Sequence, residues 1–509
     1  MKRTALILMI ITIVSKLLGF GREMALSYFY GASITSDAYL ISLTIPNVIF
    51  SFIGVGIYTG FIPIYTDARE NKSKQAADFF TSNLINILFL VSTIIIILGQ
   101  IFTEEIVLLF ASGFDKATLD IAVNFTRVTF WGIYLTGTMF ILRGYLEINK
   151  KFILSAVAAI PMNILIIITI IYSADVNINI LSYGYIIALI SQFVLLIPTL
   201  IKLGYHHKFI IKFKDENIRK IGYMISSLVL GVSVNQINVL IDRNIASNIV
   251  VGGISVLNYA NRINDFVQGV FITTVLLMVF PMMSEAASKK DKNELINTTI
   301  KTVNSTTLLV IPSMIGIMFL STPIVSVLFG RGEFNTEAIR MTSSALFFYS
   351  IGIVGVGLRE VFSKVFYAMQ DTKTPVINAG IGMVLNIVLN VLLSKYIGLD
   401  GLALATSISA LVTSILLYLS FRKRIGAIGF KQIGISFLKI LFASLVMGGL
   451  AKLSFNYLTA SLSQNLSLFL AIGVGAISYF VIIYFMKIED VDVIAGAIKK
   501  KFGKGKLNI

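Results

Sequence analysis

Ionisable side chains set inside long apolar runs are the residues of this chain best placed to do chemistry. Arg22 follows Gly19 and Gly21 near the outer end of the first run, and Arg262 lies at a similar distance from the outer end of the eighth. An arginine at mid-membrane costs about 2.5–3.5 kcal/mol on an insertion scale, so each needs a partner, water or a ligand. Lys16 is nearer the middle of the first run, and Glu23, seven residues on, returns to almost the same helical face. Because the planar guanidinium fork suits phosphate, Lys16, Arg22 and Arg262 point to a water-filled, anion-binding cavity. The competing reading is structural pairing, since Asp265 follows Arg262 by three and shares its face. Arg127, in the fourth run, lies at a comparable depth. Arg143, Arg359, Glu360 and Lys364 fall near inner helix ends, where long cationic chains reach the interface, and read as structural, with Glu360 and Lys364 spaced to pair.

A second constellation consists of oxygen ligands: Asp242 in the seventh run, Asn386 and Asn390 one turn apart in the eleventh, and Thr406 in the twelfth. Such ligands suit a hard monovalent cation, and the same groups also glue helices together. Other chemistries lack their parts. There is no cysteine, and the two histidines, His206 and His207, are adjacent in a polar loop, so thiolate sites and a buried histidine relay are excluded. No Walker-type phosphate loop is present, which argues against an ATP-driven pump. The short outward loops carry no paired-carboxylate constellation, and Glu104-Glu105 reads as a solvated helix end, so the chain is not expected to be an enzyme.

The elements that must position these residues are membrane helices. With 56% hydrophobic and 13% charged residues in 509, the chain has too much apolar surface for water. Runs long enough to cross about 30 Å of hydrocarbon recur about fourteen times, the first over 5–26, the fourth over 121–146 and the seventh over 221–249. A net charge of +16 would suit nucleic acid, but the placement of the lysines and arginines argues against that partner. They gather in alternate loops, among them Lys208, Lys212, Lys214, Arg422, Lys423, Arg424 and the lysines of 499–506, which places both termini in the cytoplasm. Lys2 and Arg3 precede the first run, yet Lys16 interrupts it and no small-residue cleavage site follows, so it reads as a retained helix.

The chain also repeats itself weakly. FIPIYTDA at Phe61–Ala68 is echoed by VFPMMSEA at Val279–Ala286, and Ile106-Val107 by Ile324-Val325, at a spacing of about 218 residues. GYLEINKKF from Gly144 and FYAMQDTKT from Phe366 echo slightly out of step. The expected architecture is all-α and polytopic, with two six-helix lobes related as parallel repeats, 1–205 and 217–425, joined by a cytoplasmic linker, 206–216. A C-terminal helix pair, 426–488, and a basic cytoplasmic tail, 489–509, have no counterpart in the repeat. The pair carries Gly448, Gly449, Ala451, Gly473, Gly475 and Ala476, which favour close helix packing; a groove for a lipid chain is the other reading.

Seven stretches carry a family resemblance: SKLLGFGRE (Ser15–Glu23), SDAYLISLTIPN (Ser36–Asn47), QINVLID (Gln236–Asp242), YANRINDF (Tyr259–Phe266), LFGRGEF (Leu328–Phe334), FYAMQDTKTP (Phe366–Pro375) and GLALATS (Gly401–Ser407). Together, and in order along the chain, they resemble the MurJ/MviN family, bacterial lipid II flippases of the multidrug/oligosaccharidyl-lipid/polysaccharide exporter superfamily. The resemblance implies fourteen helices in two lobes, an inner cavity, and export of undecaprenyl-diphosphate-linked disaccharide pentapeptide (lipid II) across the bacterial cytoplasmic membrane, with membrane lipids as the other partners and a monomer as the working unit. By motif, Arg22 and Arg262 match cavity arginines, Lys16 a further cationic position and Asp37 an acidic residue of the second helix, with Glu23, Asn47 and Asp265 in support. The extra helix pair would match a groove for the polyprenyl tail. The chain departs from the family pattern at Phe50, where many members have arginine, at Val55-Gly56, at Glu23 in place of aspartate, and at Asn390, where some use a carboxylate for sodium. No cofactor is expected, and the coupling ion, Na+ or H+, stays open. Another undecaprenyl-diphosphate-linked oligosaccharide is the alternative cargo; a drug/cation antiporter fits poorly, since a cationic cavity repels cationic drugs.

Overall fold

The computed structural model describes residues 2–426 and 430–486, with the side chains of 1–6, 227, 228, 230 and 430–433 left out. The expected basic tail, 489–509, lies outside the described residues. Seventeen α-helices and no strands occur among the described residues. Eleven helical spans, one of them Phe152–Asp175 made of two of these helices, are long and apolar enough to cross a membrane, or twelve if the bent pair Glu216–Ser226 and Gly231–Ser247 is one span. This is compatible with the larger number expected. The 121–146 span is not among them because the helix breaks there into Lys116–Thr129 and Gly132–Ile148, each shorter than a full crossing.

The helices form two compact units. The first comprises Met1–Ser255 with the short segment Arg331–Asn335. Its helices are α1 (Lys2–Tyr30), α2 (Ile34–Asn71), α3 (Lys74–Ile101), α4 (Thr103–Phe110), α5 (Lys116–Thr129), α6 (Gly132–Ile148), α7 (Phe152–Val157), α8 (Ala159–Asp175), α9 (Ile180–Lys202) and α10 (Glu216–Ser247). The division falls at Ser255 rather than in the 206–216 loop because α10 packs along α2. Glycines permit that approach: a Cβ at Gly56 would stand 2.8 Å from the Ile225 Cα, and one at Gly60 3.1 Å from the Met224 sulfur.

Helix starts follow from their capping residues. The Ser33 hydroxyl accepts from the Ser36 backbone N–H to start α2, Ser73 does the same for α3 through Ala76, and Asp215 for α10 through Asn217 and Ile218. The core near one end of this unit is an aromatic column. Phe61 stacks on Phe80 at 5.9 Å, Tyr65 meets Tyr145 edge-on at 5.4 Å, and Tyr145 lies 5.2 Å from Tyr205. Two of the phenols find partners: Tyr65 donates to Asp78 at 2.9 Å, and Tyr205 lies 3.1 Å from the Ser82 hydroxyl.

The second unit holds Val256–Gly330 and the described residues from Thr336 onward. Its helices are α11 (Gly253–Ser288, whose first turn belongs to the first unit), α12 (Lys292–Phe329), α13 (Thr336–Ala368), α14 (Lys373–Ile397), α15 (Leu399–Arg424), α16 (Phe430–Leu458) and α17 (Gln464–Phe485). Helix α12 kinks at Leu320, three residues before Pro323, whose ring displaces the preceding turn. The α16–α17 pair packs on α12. Gly448 lies against Ile315 and Phe319, Gly475 against Ala451, and Tyr479 donates to the Leu308 carbonyl at 2.8 Å. These contacts realise the close-packing reading of the small residues, while Gly449 and Gly473 face open space.

Helices α13 and α15 approach one another closely. A Cβ at Gly355 would stand 2.6 Å from the Leu411 backbone nitrogen, and one at Gly352 2.8 Å from the Ser407 Cα. Gly355→Ala is expected to force the helices apart at a cost of about 1–3 kcal/mol. Gly380→Ala, with no neighbour within 4 Å, should be neutral or slightly stabilising. Thermal unfolding in detergent, followed by tyrosine and tryptophan emission, measures both.

Between α13 and α14, Asp371 accepts from the Thr374 hydroxyl at 2.7 Å and from the backbone N–H groups of Lys373 and Thr374, and it pairs with Arg424. Partial burial works against its charge, but the Thr374 bonds and Arg424 outweigh it and hold the carboxyl below its ordinary range. A depressed folded value gives stability that is full above the unfolded pKa, about 3.9, and is lost as the pH falls through the folded one. The destabilisation caused by Asp371→Asn should therefore be constant between about pH 6 and 8 and shrink below about pH 4, as read from melting curves across that range.

Candidate functional site

The first unit builds its cationic centre on α1. Gly19 and Gly21 set this stretch beside α8, where their Cβ positions would meet Asn163 and Ile167 at 3.9 Å. One residue on, Arg22 points its Nη2 at the Glu23 carboxylate, 2.8 Å away. Glu23 is 3% exposed and the Arg22 side chain 20%, so this is a nearly buried ion pair. Tyr39 of α2 and Tyr185 of α9 are close enough to act on the guanidinium electrostatically, and both are buried. Lys16 does not join them. Its side chain is exposed, and the carboxylate expected to share its face is turned to Arg22. Arg127 is exposed as well, on α5.

Asp37 is buried but serves the backbone. Its two oxygens accept from the N–H groups of Gly252 at 2.8 Å and Ser255 at 2.7 Å and from the Ser255 hydroxyl at 2.5 Å, which caps the start of α11. Gly252 there has φ +81°, and a Cβ would meet the Ala32 carbonyl oxygen at 2.5 Å, so glycine is required. Asn47 is exposed, and its amide donates back to the Leu43 carbonyl at 2.7 Å.

In the second unit Arg262 Nη1 lies 4.0 Å from Asp265 Oδ2, and both side chains are nearly half exposed. Asp265 also borders a cavity of about 660 Å³ between α11 and α13. Its walls include Gln268, Thr273, Arg359, Glu360 and Lys364. Arg359 reaches the Glu360 carboxylate at 3.5 Å, and the Lys364 ammonium lies over the rings of Phe280 at 5.3 Å and Tyr367 at 5.8 Å. The expected pairing of Glu360 with Lys364 is thus replaced by a cation–π contact. The sequence reading gave these three residues a structural role; their signal was three charges within six positions of an otherwise apolar helix.

The oxygen constellation is partly assembled. Asn390 Nδ2 donates to Asn386 Oδ1 at 2.9 Å, and Asn386 Nδ2 to Thr406 Oγ1 at 3.4 Å, with Thr406 bonded in turn to the Leu402 carbonyl. These neutral groups bond to one another across α14 and α15, the arrangement of helix glue. Asp242 lies on α10, in the first unit, while the other three belong to the second. No group of three or more His, Cys, Asp or Glu able to hold a metal occurs among the described residues.

Long apolar helices with cations set among them define the class as a polytopic helical membrane protein. Its fold is similar to that of an inward-facing multidrug resistance MATE family transporter of the MOP superfamily, which aligns with a TM-score of 0.68 at 16% identity, covering 83% of this chain and 98% of that one. The family is more specific. The model of the family described as "Lipid II flippase MurJ" matches residues 26–483, and the chain belongs to that family. A Vibrio cholerae serotype O1 relative, "Probable lipid II flippase MurJ", is 28% identical over 432 residues, 82% of each chain. The solved structure "Lipid II flippase MurJ, inward closed conformation" aligns with a TM-score of 0.81 at 28% identity, covering 94% of this chain and 98% of that one. The chain is accordingly a multi-pass protein of the inner membrane and a transporter by family.

Removing Arg22 alone strands the Glu23 carboxylate in the helix bundle. Arg22→Ala is expected to cost up to about 3–5 kcal/mol, the penalty for breaking a buried pair by deleting one partner. Arg22→Ala combined with Glu23→Gln should recover much of that loss. A double-mutant cycle on thermal unfolding of the purified protein tests the pair directly.

Proposed function

We propose that this protein carries lipid II from the inner to the outer leaflet of the cytoplasmic membrane by alternating access. The observation that supports this most is the family match through nearly the whole described chain, joined to arginines set within apolar helices. The diphosphate is the part of the cargo that lipid rejects, and Arg22, Arg262 and Lys16 are the groups assigned to receive it. Arginine offers two parallel N–H donors to adjacent phosphate oxygens, whereas lysine supplies a point charge. The polyprenyl tail stays in hydrocarbon throughout, so only the headgroup needs a protein path. Arg359 and Lys364, which border the cavity in the second unit, extend the cationic set, and Asp265 and Glu360 keep that cavity from holding the anion too tightly.

The driving force in this reading is the membrane potential. With both termini cytoplasmic and the interior negative, outward movement of an anion gains about 2.3 kcal/mol per charge per 100 mV. A coupling Na+ at Asn386, Asn390 and Thr406, with Asp242 as its carboxylate, would first have to break the amide bonds those side chains make with one another; H+ would act at Asp242. Potential alone suffices.

The test is outer-leaflet exposure of lipid II in cells depleted of their own flippase and supplied with this chain. Wild-type protein should restore exposure, and Arg22→Ala and Arg262→Ala should reduce it at least tenfold at equal expression. Collapse of the potential by an ionophore should stop export, while replacing external Na+ at constant potential should not. No exposure from well-expressed wild-type protein would shift the cargo to another undecaprenyl-diphosphate-linked glycan.

A further inference from the structure

The segment between α9 and α10 carries a pattern that neither the core nor the proposed transport uses. From Lys208 to Lys214 the sequence reads KFIIKFK, with basic and apolar residues interleaved. Its backbone is stitched to α3 on one side only. The Lys208 N–H donates to the Ser82 hydroxyl at 3.3 Å and the Lys212 N–H to Asn83 Oδ1 at 2.8 Å. The Asn86 amide donates to the carbonyls of Lys208 at 2.8 Å and Ile210 at 3.0 Å, and the Asn83 amide to that of Lys212 at 3.0 Å.

Every one of these bonds uses an even-numbered residue. The odd-numbered side chains carry the apolar surface: Phe209 is 94% exposed, Ile211 51% and Phe213 57%. The segment is irregular, with the Ile210 N–H donating to the Lys208 carbonyl at 3.0 Å and a turn at Phe213–Lys214, and three large apolar groups are exposed within five residues. Phe209 touches only the edge of the His207 ring among the aromatic contacts described, at 5.1 Å.

Depth identifies what covers this face. Asn83 and Asn86 stand where the apolar run of α3 begins, and the segment that bonds to them is therefore level with the end of the hydrocarbon. It starts six residues after Lys202, the last residue of α9, whose neighbour Ile201 is 62% exposed. Lys208, Lys212 and Lys214 flank the apolar groups, and all three are exposed. No acidic residue interrupts Lys202–Lys214.

We propose that residues 208–214 form an interfacial anchor that inserts Phe209, Ile211 and Phe213 into the acyl boundary of the inner leaflet and binds anionic phospholipid headgroups through Lys208 and Lys214. A lysine near a negatively charged leaflet gains from its surface potential, and aromatic groups settle at headgroup level. Clamping the segment by lipid on one face and by α3 on the other holds the connection between α9 and α10 at a fixed depth. The inference stands apart from the choice of cargo.

The chain has no cysteine, so single cysteines can be placed at will. Phe209→Cys, Ile211→Cys, Phe213→Cys and, as a control, His206→Cys are labelled with bimane and reconstituted in nanodiscs containing lipids brominated near the top of the acyl chain. Quenching at 209, 211 and 213 at least twofold above that at 206, and stronger in phosphatidylglycerol than in phosphatidylcholine, is the expected result. Lys208→Gln with Lys214→Gln should abolish the difference between the two lipids while leaving the stitches to α3, which are made by backbone, intact. Equal quenching in both lipids would overturn the anionic-lipid assignment. Quenching no greater than at 206 would overturn the anchor itself and turn the face toward water or a protein.

Discussion

Hydrocarbon offers no hydrogen bonds, and that single constraint sorts the polar residues of this chain. Every backbone group at membrane depth must be satisfied within the protein, so the chain is helix wherever it can be and spends side chains wherever it cannot. Asp37 is such a side chain. It resembles a site residue by burial and charge, yet its oxygens are taken by the N–H groups of Gly252 and Ser255 at the head of α11. Asn83 and Asn86 do the same for the segment between α9 and α10, and Asp215 and Asp291 for the starts of α10 and α12. Hydroxyls inside helices turn back to the preceding turn, as Thr81 does to the Ala77 carbonyl and Thr299 to that of Leu295. The arginines, lysines and their carboxylates are not used in this way, and the proposed function rests on them.

Much of the fold was legible because apolar run length is a strong signal in a membrane chain. The helices recur where the runs recur. The break between α5 and α6 was not legible, since Phe130 and Trp131 are as apolar as their neighbours and hydropathy does not register backbone geometry. The packing of α10 on α2 was equally hidden. It depends on Gly56 and Gly60 facing particular residues of another helix, and in sequence those glycines are indistinguishable from the others.

The candidate site was legible in its residues and not in their pairings. Arg22 and Arg262 stood out by cost, and the i,i+3 rule paired Arg262 with Asp265. The partner of Arg22 was missed because helical-face reasoning discounts the adjacent residue, whereas a long guanidinium can fold back to a carboxylate one position away. Arg359 and Lys364 read as structural in sequence, and in the structure both have partners and also border the cavity between α11 and α13. Helix α13 has 33 residues and spans about 50 Å, well beyond about 30 Å of hydrocarbon. Arg359 lies nine residues before its end, Ala368, or about 14 Å.

The pairing of Arg22 with Glu23 bears on how a transporter can hold an anion without trapping it. An unpaired arginine in a helix bundle would either be unaffordable when empty or grip a diphosphate too strongly to release it. A carboxylate beside it meets both difficulties. The guanidinium has five N–H donors, and the ion pair engages Nη2, which in the proposed transport leaves the other donors for a phosphate oxygen. In the transport proposed above, the attraction felt by the cargo is the difference between two large electrostatic effects, small enough to be reversed by a change in the surroundings. Arg262 with Asp265 and Arg359 with Glu360 show the same arrangement in the second unit, at greater exposure and longer distance. A set of arginines each tempered by its own carboxylate suits a protein that must let its cargo go.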